Sequence, residues 1–456
     1  MDESHSGAPA APANSRVDSP SSARDRRPRP SGDSLIAVAV TLVCSAIAWL
    51  RVPETARETI WAEDGRVFLW DVFFSPAWST LLRTYDGYVH LVPRLVAEAV
   101  VLTVPPAGYA LAVSAVSCVL VGCTAGLVYV CASTLTGSRW IRLGFASITV
   151  LVPSVALEVL GNLANLHWFA LWLMPWLLFH RPASRLASIG FGAVALACSL
   201  TEIQTAFFLP LALWRWRERS GWAVRVALLF GVTFQLLGAA DRPERTPPLP
   251  PVGDFIAGFL VNAVMTPWWG SAHTITWSVR VLGWGAAAMC LIPSVAAFVL
   301  VLRRGDRVQR LAAVVFPLAS GVVWCAALYF SRPEADWSRP DAESVRELPV
   351  LRYAVVPSMY LMAGIVLACT VLRWRPLSRA ITAALAVPLA LVVVTSFVPV
   401  TVRSAGPTWP PESTRGREQC LEDDSAAYVD VPITPHGWTS RVPCDVLEGS
   451  APAEAP

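Results

Sequence analysis

Charge is scarce in this sequence, and lysine is absent from it altogether. Charged residues make up 15% of the chain, whereas a soluble globular protein carries roughly 25%. The shortfall excludes an ordinary water-facing surface, and the 54% of hydrophobic residues say that much of the surface faces hydrocarbon. Length alone allows two or three soluble domains, and composition overrides that reading. Every basic side chain outside histidine is an arginine, which reads as the compositional bias of a GC-rich genome. The net charge is only +3, so nothing points to a nucleic-acid partner.

Several motifs are missing as well. No CxxC occurs among the ten cysteines, which excludes the common zinc and redox motifs. No GxxxxGK[ST] occurs, and the loops assigned below to the inner side are too short for a nucleotide site. Neither HxxxH nor HExxH joins His90, His167 and His273 into a metal site. No internal repeat is evident, and the notable charges gather at one membrane edge rather than at mid-membrane. A transporter or flippase of lipid-linked glycan therefore stands second to an enzyme, and a non-catalytic envelope assembly factor is a third class.

What is present is a series of apolar runs. Residues 1–33 are rich in Pro, Ser, Ala and Arg, without periodicity, and read as a disordered cytoplasmic tail. Arg24, Arg26, Arg27 and Arg29 precede the first run and hold that side in the cytoplasm. The run 34–51 reads as an uncleaved first span. Further spans are expected near 108–132, 141–159, 166–179, 185–200, 204–214, 222–240, 277–302, 311–330, 353–372 and 379–400, with 185–214 also readable as one hairpin.

The expected fold class is an all-α polytopic protein of about eleven transmembrane helices in the cell membrane. An odd count with the N-terminus in the cytoplasm leaves the C-terminus outside. Arginine supports that order: Arg139 and Arg142, Arg181 and Arg185, Arg215 to Arg219, Arg303 to Arg310, and Arg373 to Arg379 all fall in short inner loops. The outer segments are then 52–106, the turns near 160–166 and 200–204, 241–276, 331–352 and the tail from 401.

The candidate chemistry lies on those outer segments. The first loop opens with Trp61-Ala62-Glu63-Asp64-Gly65. Adjacent carboxylates at a membrane surface can act as a catalytic base or coordinate a divalent cation through oxygen. The same pair can also be a solvated helix start, where Asp and Glu cap well. The amphipathic stretch Val67 to Phe74 is expected to lie in the interface plane. Tyr85-Asp86-Gly87-Tyr88-Val89-His90-Leu91-Val92-Pro93-Arg94 follows.

The turn Gly161-Asn162-Leu163-Ala164-Asn165-Leu166-His167-Trp168 offers Asn162, Asn165, His167 and Trp168 for sugar hydroxyls and ring stacking, or else an aromatic belt with amide caps. Glu202 and Gln204 stand in another turn between apolar pieces, where an acid is a functional candidate. Arg352-Tyr353 opens a late span; an arginine fork there suits a phosphate, and a snorkelling arginine is the alternative.

These pieces together resemble the GT-C superfamily of integral-membrane glycosyltransferases, and specifically its bacterial, largely uncharacterised members. The resemblance covers roughly residues 34–400 as an architecture. Its motifs are Trp-Ala-Glu-Asp-Gly at 61–65, Tyr-x-Gly-Tyr-x-His-x-x-Pro-Arg at 85–94, the Asn-x-x-Asn-x-His-Trp turn and Arg-Tyr-x-x-x-Pro from Arg352. It implies Asp64 and Glu63 as the acidic motif of the first outer loop, with Asp64 also a ligand for a divalent cation such as Mg or Mn. The implied substrate partners are a polyprenyl-phosphate sugar donor, held with its tail among membrane lipid, and a glycan acceptor. Tyr85, Tyr88, His90, Arg94, Asn162, Asn165, His167, Trp168, Glu202, Arg352 and Tyr353 are the expected substrate-binding set. Reaction would take place on the extracytoplasmic face.

Residues 401–447 change character, becoming Pro-rich and polar. Val429, Val431 and Ile433 alternate, suggesting a strand. Cys44, Cys118, Cys123, Cys131, Cys198, Cys290, Cys325 and Cys369 lie in apolar runs, where cysteine is a small hydrophobe. Cys420 and Cys444 do not, and on an outer face their disulfide can persist. A small extracytoplasmic β-containing cap is expected here, with 448–456 disordered.

Overall fold

A chain in hydrocarbon must satisfy each backbone N–H and C=O internally, and helices do so segment by segment. The computed structural model describes residues 31–239, 248–333, 335, 337, 347–372, 376–423 and 425–449. Of the expected disordered tails 1–33 and 448–456, residues 1–30 and 450–456 lie outside these residues, as do Arg373 and Arg375 of the expected last inner loop, whereas Ser31 to Asp33 open the first helix and Glu448 ends the last. The described chain is mostly helical, with two small antiparallel hairpins. Among the described residues, five helices are long and apolar enough to cross a membrane: Gly32–Arg51, Pro106–Thr134, Arg219–Gly238, Gly285–Arg304 and Arg307–Ser331. The chain is thus a helical, membrane-embedded protein. Leu166–Phe179, Arg185–Ser199 and Val355–Ala368 are apolar but shorter, and a helix must run about 20 residues to cross roughly 30 Å.

Three expected elements differ, each for a local reason. The run 141–159 is not one helix. Arg139–Leu151 stops before Pro153, whose ring pushes Val152 out of helical geometry, and the chain resumes as a π-helical turn Val155–Val159. The run 277–302 breaks at Gly283, which takes φ +60° between Ala272–Leu282 and Gly285–Arg304. The segment 248–276, expected as outer loop, is largely helical and folded into the protein; Val261 to Met265 are buried throughout. Asn262 anchors it, accepting from Leu351 N at 2.7 Å and donating to Pro349 O at 3.3 Å.

The first span packs on Tyr109–Cys131 through Gly122 and Gly126. Small residues four apart let two helices approach closely, and a Cβ at either glycine would collide with Ser45 or Thr41. Asp33 at the start of that span pairs with Arg142 at 3.0 Å and Arg139 at 3.2 Å. Gln309 donates to Leu135 O at 2.9 Å, so the loops after Leu135 and before Arg307 meet at the same end.

The first loop lies at the other end of the span. Its expected in-plane helix is instead two short turns, Asp64–Leu69 and Trp70–Phe73, which bury Phe68, Leu69 and Val72 inside the protein. They fold inward because Phe68 packs under the His90 ring (5.5 Å between centroids) and the Arg94 guanidinium (5.6 Å). A two-residue hairpin follows, β1 (Thr84–Tyr85) with β2 (Tyr88–Val89). Its turn is Asp86-Gly87, both at positive φ (52° and 82°), the conformation a tight hairpin requires and Asp-Gly supplies.

The C-terminal segment returns to this loop. Helix Trp409–Glu422, β3 (Tyr428–Ile433), β4 (Trp438–Pro443) and helix Cys444–Glu448 form one small unit. Val431 and Ile433 face inward on β3, and Cys420 and Cys444 are joined in a disulfide. Thr434 N donates to Ile60 O (3.0 Å), Trp409 N to Glu58 O (2.7 Å) and Ser440 Oγ to Gly65 O (2.7 Å). Gly65 is needed here, since a Cβ would stand 2.8 Å from Ile433 Cδ1. Loop and tail therefore share one face of the protein.

Candidate functional site

Against that shared face lies a cavity of about 400 Å³, within the roughly 300–1,000 Å³ usual for small-molecule sites. Its wall draws on the first loop (Glu63, Phe68, Tyr85, Asp86, Tyr88, His90), the 161–168 turn (Asn165, His167, Trp168), the 202–204 turn (Glu202, Gln204), Arg352-Tyr353 and Trp438 of the tail. The structure thus brings together most of the residues singled out in the sequence.

Glu63 and Asp64 do not act as a pair. Asp64 is fully buried and does not line the cavity. Its two oxygens accept from Leu163 N (2.9 Å) and Ala164 N (2.8 Å), so it pins the 161–165 turn to the first loop. Burial raises its carboxyl to about 7, against the pull of those two N–H groups and of Arg403. This corrects the expectation of Asp64 as a base or cation ligand at the cavity: each of its oxygens is held by a backbone N–H, and the residue does not line the cavity. Among the described residues, no cluster of three His, Cys, Asp or Glu is arranged to hold a metal ion.

Glu63 is the carboxylate that reaches the cavity. Its Oε1 stands 3.9 Å from Arg352 Nη2, and its Oε2 is buried without a hydrogen-bond partner. Arg352 also donates to Glu158 Oε1 at 2.5 Å. Burial opposes the guanidinium's charge, but Glu158, Tyr353 and Glu63 more than offset that and hold it protonated above its ordinary range. Gln204 Oε1 is a second buried oxygen with no partner.

The 161–168 turn divides between scaffold and wall. Asn162 is buried and spends its amide on the backbone, donating to Glu158 O (2.7 Å) and accepting from Asn165 N (3.0 Å). Asn165 donates to Asn162 Oδ1 and accepts from Trp168 Nε1 at 3.2 Å. Asn162 is therefore a turn staple rather than a ligand residue. His167 lines the cavity, its Nδ1 hydrogen-bonded to Glu202, while Glu202 Oε1 accepts from Gln204 N at 2.8 Å.

The remaining wall is aromatic. Tyr88 lies on His90 with centroids 4.0 Å apart, and Trp168 meets Tyr353 edge-on at 5.9 Å. His90 is buried and held well below its ordinary range by burial and by the nearby His167 and Arg94, so it is a neutral packing ring. Arg94 is also buried and outside the cavity; it pairs with Asp71 at 2.7 Å and braces the floor under Phe68. The expectation of Arg94 in the substrate-binding set is corrected accordingly: it does not line the cavity.

Four residues of the site were not singled out from sequence. Glu158 sits inside a run read as a span, and an acid at that depth was the available signal. Gln204 was noticed only as a companion of Glu202. Trp438 and Arg403 come from the tail and gave none. Arg403 is buried beneath the cavity, donating to Thr59 Oγ1 (3.0 Å), Leu160 O (2.8 Å), Ala56 O and Ser114 Oγ (3.3 Å). Comparison with protein-family models, with curated proteins and with solved structures finds no match to this chain.

Proposed function

We propose that this chain is a GT-C-like glycosyltransferase that moves a sugar from a polyprenyl-phosphate donor to an envelope glycan or lipid acceptor. One observation carries the reading. An aromatic-walled polar cavity beside membrane-crossing helices holds two buried acceptor oxygens, Glu63 Oε2 and Gln204 Oε1, that lack donors. Buried acceptors without donors are costly, and sugar hydroxyls supply the missing donors while rings such as Tyr88, Trp168 and Trp438 take the sugar's apolar face.

In this reading Glu63 holds hydroxyls of the reacting sugars. Arg352, the one arginine lining the cavity among the described residues, faces the phosphate. A guanidinium has five N–H donors in a rigid fork; one is committed to Glu158, and Glu63 stands too far for a hydrogen bond. A phosphate oxygen competes with Glu63 for the rest. Charge builds on the leaving phosphate as its C–O bond breaks, and a fixed cation stabilises it. The residues present do not fit a cation at Asp64, so no step is routed through one.

The same reading takes the chain to cross the cell membrane eleven times, with its N-terminus cytoplasmic and the cavity and tail extracytoplasmic. Packing of the tail on the first loop supports an even number of crossings between them, and the arginine-rich loops support the orientation.

The test is mass spectrometry of lipid-linked sugars and envelope glycans in a strain lacking the chain, complemented with wild type or Glu63→Ala. The expected result is accumulation of one lipid-linked sugar and loss of one glycan decoration, restored by wild type and not by the variant. Unchanged profiles in the deletion strain reject the reading.

A further inference from the structure

The cavity holds a proton-handling pair that the acidic loop motif does not include. Glu202 is wholly buried at the turn between Arg185–Ser199 and Ile203–Phe208, fixed there because its Oε1 caps Gln204 N. Its Oε2 hydrogen-bonds His167 Nδ1. With Nδ1 occupied by a carboxylate, the proton sits on that nitrogen, and Nε2 is left with a lone pair. His167 is on the cavity wall, held from the side by the Trp168 ring at 4.3 Å. A base needs a second group behind it to fix its tautomer and to stabilise the cation it becomes; Glu202 stands in that place.

The other titratable or charged groups on the wall are Glu63, Tyr85, Asp86, Tyr88, His90, Arg352 and Tyr353. Asp64 is walled off from the cavity, and His90 is buried with Nδ1 turned to Tyr88 O at 3.2 Å. Glu63 is drawn toward Arg352.

We propose that His167, oriented by Glu202, is the base that accepts the proton of the attacking hydroxyl. The proposal rests on the glycosyl-transfer reading above. The hydroxyl proton passes to His167 Nε2, and the oxygen forms a bond to the anomeric carbon. The bond from that carbon to the phosphate oxygen breaks, and its electron pair leaves with the lipid phosphate. The imidazolium so formed is stabilised by Glu202, which stays ionised and never carries the proton. His167 is then a catalytic residue and Glu202 a positioning residue.

The experiment uses the full chain in lipid nanodiscs. The probes are radiolabelled farnesyl-phosphate conjugates of mannose, glucose, galactose and arabinofuranose, with octyl glucoside as acceptor. The expected result is that His167→Ala and the nearly isosteric His167→Gln lower kcat about 10²- to 10⁴-fold while donor KM moves less than about threefold. Added imidazole restores part of the His167→Ala rate, and Glu202→Asp keeps more activity than Glu202→Gln. Rescue by imidazole separates a missing base from a misfolded chain. Wild-type kcat in His167→Gln, or loss of rate through KM alone, overturns the dyad while leaving glycosyl transfer intact. Failure of wild type to transfer any of the four sugars overturns the transfer reading and the dyad with it.

Discussion

Glu63 and Asp64 are consecutive in the chain and face opposite ways: Glu63 meets Arg352 in the cavity, and Asp64 is buried against Leu163 N and Ala164 N. The π-helical turn starting at Asp64 sets this divergence. Substitution should therefore separate the two residues cleanly.

At Glu63 the loss should appear in catalysis. Glu63→Gln keeps the shape and removes the charge that, in the glycosyl-transfer reading, receives hydroxyl donors. A hydrogen bond to a charged group contributes about 1.5–3 kcal/mol, so kcat/KM should fall roughly 10- to 100-fold with little change in thermal stability. Transfer assays alongside thermal unfolding in detergent decide this; an unstable but fully active variant would contradict the assignment.

Asp64 should govern stability, with a definite pH sign. Its carboxyl moves from an ordinary 3.8 to about 7 in the folded chain. A raised value means the folded state holds the proton more tightly. The contribution is fully present below pH 3.8 and is lost as pH rises through about 7. At 1.36 kcal/mol per unit the span is on the order of 4 kcal/mol. Asp64→Asn should flatten this dependence, because an amide has no proton to lose in this range. Melting temperatures of both proteins across pH check it, and parallel curves would refute it.

Arg403 ties tail to loop from below. Arg403→Leu leaves Leu160 O without its donor and removes the hydrogen bonds to Ala56 O and Thr59 Oγ1, a loss of about 1–3 kcal/mol. We expect it to lower the melting temperature and to make the tail sensitive to limited proteolysis. Wild-type resistance to protease in this variant would contradict the role given to Arg403.

The bridge Cys420–Cys444 closes a loop with a sequence separation of 24. A link of that size contributes about 3 kcal/mol to the unit it closes. Double substitution to Ser should loosen β3 and β4 while leaving the membrane helices folded. Hydrogen exchange resolves the difference, and unchanged protection in 428–443 would contradict it.

The helical, membrane-embedded character could be read from the letters, because apolar runs answer directly to a bilayer. The breaks at Pro153 and Gly283 were equally visible but depend on what packs around them. At the site, the aromatic and imidazole residues of 85–90 and 167–168 were legible as candidates, and the structure places them on one cavity wall. Which of two adjacent acids faces inward was not, because a π-helical turn shifts side-chain direction without changing composition. Asn162 misled for a related reason: an amide that binds a sugar and one that staples a turn look alike until the backbone is placed. Trp438 was beyond reach, since nothing local ties it to Glu63.

That distance has a consequence for biogenesis. Trp438 and Ser440 are made after the helix Pro376–Thr395, yet Trp438 completes the wall that Glu63 begins and Ser440 fastens to Gly65 O. A chain interrupted after Pro376–Thr395 can hold its membrane helices and still own no closed site. The cavity is therefore complete only once residues 438–440 have been made and folded back on the first loop, so a shorter nascent copy is silent.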